Sequence, residues 1–259
     1  MKAMILAAGE GTRLRPLTLD RPKPMAPIAG RPLLEYTIDW LGRYGVQDIA
    51  INLHYKPEAI TGHFGDGRAF GVRLTYSHEE QIMGTAGAVK RLEHFFDQPF
   101  VLIYGDVLTD LDLTDLEAYH RQKAGLGTVA LYRVDNPTAR GLVETDPTGR
   151  ILRFVEKPRP EEVFTDLANS GVYILEPEVL QYIPRDIAYD FGRDLFPALL
   201  ERHVPLYGYP LAEDKYLIDI GSPESYAQAN RDWSAEKGTY DYHADAYPGQ
   251  SVWRGHRFP

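Results

Sequence analysis

An apolar run, Ala3-Met4-Ile5-Leu6-Ala7-Ala8, passes directly into Gly9-Glu10-Gly11-Thr12-Arg13, and this junction restricts the chain more than any other stretch in it. The run is short enough to be a buried strand. Glycines just beyond a strand let backbone N–H groups approach an anion without side chains in the way. Arg13, Arg15, Arg21 and Lys23 follow, in a chain of net charge -9, so the local field is opposite to the global one. Pro22 and Pro24 stiffen the backbone around Lys23, so the lysine is presented from a fixed loop. The segment reads as a phosphate site.

The kind of phosphate ligand is narrowed by what is missing. A Walker A loop needs Lys-Ser or Lys-Thr after its second glycine, and here Thr12-Arg13 stand there. A dinucleotide fold needs a third glycine, where this chain has Leu14, and an acid closing the second strand. The second strand expected, Asp48–Leu53, comes too late and ends without one. The eight histidines show no HExxH spacing, and there is no Gly-x-Ser-x-Gly elbow. An acidic balance argues against non-specific nucleic-acid binding. With no cysteine there is no disulfide framework or thiolate metal site. The N-terminal apolar stretch is too short for a signal peptide and no segment approaches membrane-spanning length, so a cytoplasmic protein without membrane contact is expected.

Apolar runs alternate with helix-period segments, the pattern of βαβ units on a largely parallel sheet. Leu33, Leu34, Thr37, Ile38, Leu41 and Tyr44 trace one helical face, with Gly45 placed to stop it. Asp48–Leu53 is expected as strand, Pro57–Phe64 as helix, Val72–Tyr76 as strand, Ala86–Phe96 as helix and Phe100–Tyr104 as a buried central strand. Gly105-Asp106 falls at that strand's C-terminal end, where open α/β sheets bind ligands. Asp110 and Asp112 belong to a turn and the next helix's N-terminus. From residue 127 the rhythm becomes mixed: strands at 127–134, 141–145, 151–156 and 167–175, a helix at 191–202 and a strand at 216–220. A closing helix covers 223–233, with Ser222 as N-cap and Pro223 at its first position. A domain over 1–237 is expected, then a tail over 238–259, docked or partly disordered.

Gly9-Glu10-Gly11-Thr12-Arg13-Leu14, Pro16-Leu17-Thr18 and Pro22-Lys23-Pro24 resemble the signature of the sugar-1-phosphate nucleotidylyltransferases. Gly84-Thr85-Ala86-Gly87, Gly105-Asp106, Phe154-Val155-Glu156-Lys157-Pro158, Asn169-Ser170-Gly171-Val172-Tyr173 and Asp219-Ile220-Gly221-Ser222-Pro223 follow in the family's order. The resemblance implies an α/β, Rossmann-like nucleotidyltransferase (glycosyltransferase-A-like) fold. Its central sheet would be mixed and mostly parallel, with a smaller sugar-binding β/α part and no C-terminal left-handed β-helix.

It also implies roles. Arg13 and Lys23 would meet a triphosphate, and Asp106 and Asp219 would hold Mg²⁺. Lys157 would hold the phosphate of a sugar 1-phosphate, and Glu156, Asn169 and the Gly141 backbone its sugar. Arg140 stands where an aromatic usually precedes that glycine. Leu6, Ala8, Gly9, Gly11, Thr12, Gly84 and Thr85 would line the nucleotide site. Gln81 could address uracil, thymine or guanine, since an amide donates and accepts. Met83–Ala88 looks most like the mannose-1-phosphate guanylyltransferase branch, which favours GTP. Pro24–Ile28 is similar to the heptose-1-phosphate guanylyltransferases; uridylyl or thymidylyl transfer to glucose 1-phosphate is the runner-up. A catalytically silent regulatory subunit that senses a nucleotide sugar is the rival class, disfavoured because the cations and carboxylates are all retained. A homodimer is the family-based expectation for assembly.

Overall fold

The computed structural model describes residues 1–235, so the expected tail lies outside the described residues. In chain order the strands are β1 (Lys2–Leu6), β2 (Pro27–Ile28), β3 (Arg31–Pro32), β4 (Asp48–Leu53), β5 (Arg73–His78), β6 (Phe100–Tyr104) and β7 (Val107–Thr109). They continue with β8 (Gly127–Arg133), β9 (Gly141–Thr145), β10 (Ile151–Glu156), β11 (Leu167–Leu175), β12 (Leu206–Pro210) and β13 (Leu217–Asp219). The α-helices are α1 (Leu33–Arg43), α2 (Pro57–Phe64), α3 (Gly84–Arg91), α4 (Leu113–Lys123), α5 (Phe196–Glu201) and α6 (Pro223–Ala235).

One mixed sheet organises them, in the order β10-β9-β11-β6-β1-β4-β5, with β8 pairing β11 and β12. The side β6-β1-β4-β5 is parallel throughout. β11 joins it antiparallel to β6, so the strands of the second half extend the same sheet and do not form a separate one. The chain runs from β1 outward to β4 and β5, then returns to β6 on β1's other side. That reversal is a topological switch point, where a crevice opens beyond the strand ends. Leu6 and Tyr104 face each other there in register.

Apolar residues of β1, β4, β6 and β11 are buried on both faces, which explains their near-continuous hydrophobic runs. Met4, Leu102 and Tyr173 pack to one side, against α3 and α5, while Ile5, Ile103 and Val172 pack to the other, against α1. A third cluster joins Leu14, Ile28 and Leu33 to Ile220, Ala229 and Trp233, fastening α6 to the N-terminal loop.

Most expected elements stand where the periodicity puts them. The helix expected at 86–96 is α3 from Gly84 to Arg91, followed by a 3-10 turn. The helix expected at 191–202 opens as a π-turn over Phe191–Leu195 and only then becomes α5. Pro197 has no N–H for the Arg193 carbonyl, so regular α-helix cannot run through it. Asp112 caps α4 by accepting from Thr114 and Asp115 N–H, as its position predicts. The parallel strand β12 was not legible in the sequence, since Leu206-Tyr207-Gly208-Tyr209-Pro210 carries a glycine and a proline that weaken a strand signal.

Candidate active site

The end of β1 and the start of the glycine-rich loop form one wall of a cavity of about 300 Å³, lined by Leu6, Ala7, Ala8 and Gly9. Gly84 and Thr85 at the start of α3 form a second wall, and Lys23, Tyr104, Gly105 and Asp106 a third. The position is the switch point named above. Gly11 and Thr12 continue the loop, and Thr12–Leu14 make a 3-10 turn that buries Leu14 and leaves Arg13 exposed. Arg13 is not in the cavity lining; its side chain extends to the turn after Asp219, with Nη2 3.3 Å from where a Cβ on Gly221 would sit. Arg15 and Arg21 pair instead with Glu10 and Asp20, away from the cavity lining.

Lys23 is the buried cation of the site: its side chain is 11% exposed and its ammonium donates to Asp106 Oδ2. Gly105 makes this possible. Its N–H donates to Leu6 O at 2.9 Å. A Cβ there would lie 2.8 Å from the same carbonyl, so only glycine lets β6 turn this tightly against β1. Asp219 comes from far along the chain but arrives beside Asp106, because β13 pairs antiparallel with β7 and Ile220 N–H donates to Asp106 O at 2.9 Å. Asp219 Oδ1 accepts from Gly221 N–H at 2.7 Å, and Oδ2 accepts from Arg140.

The residues expected to meet a sugar lie outside the cavity lining: Glu156 is opposite Gly141 in the β9–β10 ladder. Its carboxylate lies in a cradle of two glycines: a Cβ on Gly141 or Gly192 would come within 2.6 or 2.8 Å of Oε2. Burial pushes the Glu156 carboxyl above the usual range; Lys157 works against that, and Asp190 adds to it. Lys157 has φ 48°; its side chain is 68% exposed and its ammonium lies 4.0 Å from Glu156. Asn169 is committed on two sides, donating from Nδ2 to Tyr173 OH at 2.8 Å and accepting Gly171 N–H at 3.0 Å. Tyr173 OH in turn donates to Tyr104 OH at 3.3 Å, and burial pushes both phenols up.

Of the nucleotide candidates, Leu6, Ala8, Gly9, Gly84 and Thr85 line the cavity, whereas Gly11, Thr12 and Gln81 do not; Gln81 is exposed, and its neighbour Ile82 lines the cavity instead. Three residues that sequence reasoning passed over do structural work here. Asn52 accepts Ala7 N–H at 2.8 Å and donates to Glu79 at 2.9 Å. Buried Glu79 also accepts Met83 N–H at 2.9 Å, tying the loop before α3 to the end of β1. Asp190 lines the cavity, accepts from Thr85 Oγ1 at 2.8 Å and caps the π-turn. An amide inside the apolar strand Asp48–Leu53 and an acid just before a helical segment were the available signals.

The donor set suits a hard divalent cation. Asp106 and Asp219 offer carboxylate oxygens, the donors such an ion takes, and each is paired here with a positive side chain. Among the described residues no group of three or more His, Asp or Glu side chains is arranged to hold a metal. Two carboxylates leave coordination positions for the oxygens of a substrate.

The profile of the nucleotidyl transferase family matches residues 2–236. The chain belongs to that family. The resemblance drawn from the ordered motifs is thereby borne out. Among its relatives is a UTP–glucose-1-phosphate uridylyltransferase of Synechocystis sp., 42% identical over an alignment of 245 residues that covers 89% of this chain and 63% of that protein. A mannose-1-phosphate guanylyltransferase of Mycobacterium tuberculosis is 37% identical over 232 residues, covering 89% of this chain and 64% of that protein. The chain thus spans less than two thirds of the length of these curated relatives. The structure of HddC from Yersinia pseudotuberculosis complexed with GMP-PN matches with a TM-score of 0.75 and 29% identity, over 90% of this chain and 99% of that one. No helix among the described residues is long and apolar enough to cross a membrane.

Proposed function

We propose that this nucleotidyl transferase condenses a nucleoside triphosphate with a sugar 1-phosphate, giving a nucleoside-diphosphate sugar and pyrophosphate. The observation that carries the reading is the buried Lys23 paired with Asp106 at the switch point, with Asp219 one strand pairing away. In the reaction a phosphate oxygen of the sugar 1-phosphate attacks the α-phosphorus. The new P–O bond forms as the α–β bridge breaks, and the electron pair leaves with pyrophosphate. The attacker is already an anion, so no general base is needed. The barrier is charge repulsion and positioning, which cations and a rigid loop address.

Lys23 and Arg13 meet the triphosphate, the first as a point charge and the second able to hold two oxygens. The Leu6–Gly9 strand end with Gly84 and Thr85 encloses the nucleoside. Lys157, open to solvent, receives the sugar phosphate, and Glu156 in its glycine cradle accepts from sugar hydroxyls, with the Gly141 backbone and Asn169 alongside. Asp106 and Asp219 hold Mg²⁺, which supplies neutralising charge for the phosphates when bound.

GTP with mannose 1-phosphate is the first pair to try, supported by the Met83–Ala88 segment and by the guanylyltransferases among the relatives. UTP with glucose 1-phosphate is the second reading, supported by the 42% identical uridylyltransferase. The test is pyrophosphate release with Mg²⁺ across GTP, UTP, dTTP, CTP and ATP against mannose, glucose, N-acetylglucosamine and heptose 1-phosphates, with Asp106→Ala as control. Turnover on one pair, abolished in the control, supports the reaction and names the substrates. No release from any pair, with tight nucleotide-sugar binding, overturns it in favour of a sensor.

A further inference from the structure

Arg140 lies outside the motifs that carry the family resemblance, yet its place is closely determined. Its N–H donates to Pro137 O at 3.2 Å and its carbonyl accepts Lys157 N–H at 3.0 Å, which stitches it to the end of β10. From there the side chain crosses to the end of β13, where Nη1 donates to Asp219 Oδ2. Asp219 is 14% exposed, and its other oxygen is occupied by Gly221 N–H. Arg140 therefore holds the one oxygen of Asp219 that the backbone leaves open. Asp106 is held by Lys23 in the same way, so each of the two carboxylates has a chain cation as partner.

We infer that Arg140 is the resident counter-ion of Asp219, a latch that a divalent cation must displace to load the site. The inference rests on the reading of Asp106 and Asp219 as the metal carboxylates. A guanidinium and a divalent ion on one oxygen repel each other, strongly so where water is scarce. Arginine stays protonated at all working pH values, so it cannot yield by losing its charge and must swing away. Its side chain is 34% exposed, which leaves it a path toward solvent and toward incoming phosphates. The free protein is thus poor in metal, and Asp219 is spared the cost of an unpaired, mostly buried charge.

The test is a Mn²⁺ titration of the protein without nucleotide, following the free-ion signal by electron paramagnetic resonance. Arg140→Gln is expected to bind Mn²⁺ about tenfold more tightly than wild type, the scale of one charge-assisted hydrogen bond. Arg140→Tyr, restoring the usual aromatic, should do the same, whereas Arg140→Lys, which keeps a cation for Asp219, should behave like wild type. Adding Asp219→Asn to Arg140→Gln should remove the gain. Equal or weaker Mn²⁺ binding in both neutral variants overturns the latch, as does no detectable binding in any protein. A gain that survives Asp219→Asn overturns it too. Failure of the transfer reaction would show separately, as absence of pyrophosphate release by the wild type whatever these titrations give.

Discussion

Two regions, the Lys23–Asp106 end of the cavity and the strand end that carries Glu156 and Lys157, are built on opposite principles. In the first the cation is buried and already paired: Lys23 comes from a proline-stiffened turn and rests on Asp106. In the second the cation is out in solvent, and the acid beside it is the group that is enclosed, cradled by Gly141 and Gly192. On the proposed function, the triphosphate carries enough charge to draw a preformed pair apart, whereas a neutral sugar does not and must be gripped by an acceptor whose position is set by shape. The difference teaches where each region is vulnerable: the first to loss of charge, the second to added volume.

The strongest test of that contrast is Lys23→Ala, expected to lower kcat by about a thousandfold or more, as loss of a transition-state cation does. It also leaves Asp106 without its partner, so pyrophosphate release should be read alongside thermal melting. A comparable loss from Lys157→Ala would break the comparison. Next in size is Gly141→Ala: the added methyl meets Glu156 Oε2, and the Michaelis constant for the sugar phosphate should rise by about ten- to a hundredfold, equivalent to roughly 1.4–2.8 kcal/mol. The constant for the triphosphate should stay as in wild type; a rise in both would show that the cradle does not act on the sugar alone.

Lys157→Ala itself should raise the sugar-phosphate constant by about tenfold, in line with loss of one charged hydrogen bond. An ammonium this exposed makes little contribution to folding, so the melting temperature should not move. The smallest effect is on pH. Burial raises the Glu156 carboxyl, so on acidification it takes up its proton at a higher pH than an ordinary glutamate does, in a window above the usual glutamate range. Affinity for the sugar should therefore be full at higher pH and fall as pH drops through that window. The sugar phosphate titrates as well, and Glu156→Gln separates the two: the limb due to Glu156 should vanish in the variant and the remainder stay.

The strand-loop at Ala3–Arg13, the central strand Phe100–Tyr104 and the acid beyond it were legible because each is local: an apolar run, a glycine, a charge in order. Lys23 was legible from its flanking prolines. Asn52 and Glu79 were not, because their function lies in each other and in Ala7 and Met83, and no spacing announces such a cluster. Gly192 belongs to the same class. It matters to Glu156 only because the π-turn brings it there, and that turn depends on Asp190 and Pro197 acting together.

Sequence alone determined the alternation of strands and helices, the position of the glycine-rich loop and the kinds of charge available, since these depend on neighbours within a few residues. Only the tertiary structure decided which charges meet. Lys23 with Asp106 and Arg140 with Asp219 are pairs separated by more than seventy residues. Each exists because strand pairing, driven by burial of the sheet's two apolar faces, carries distant segments to one edge. An ion pair is chosen by distance in space, and distance in space is a property of the packed sheet.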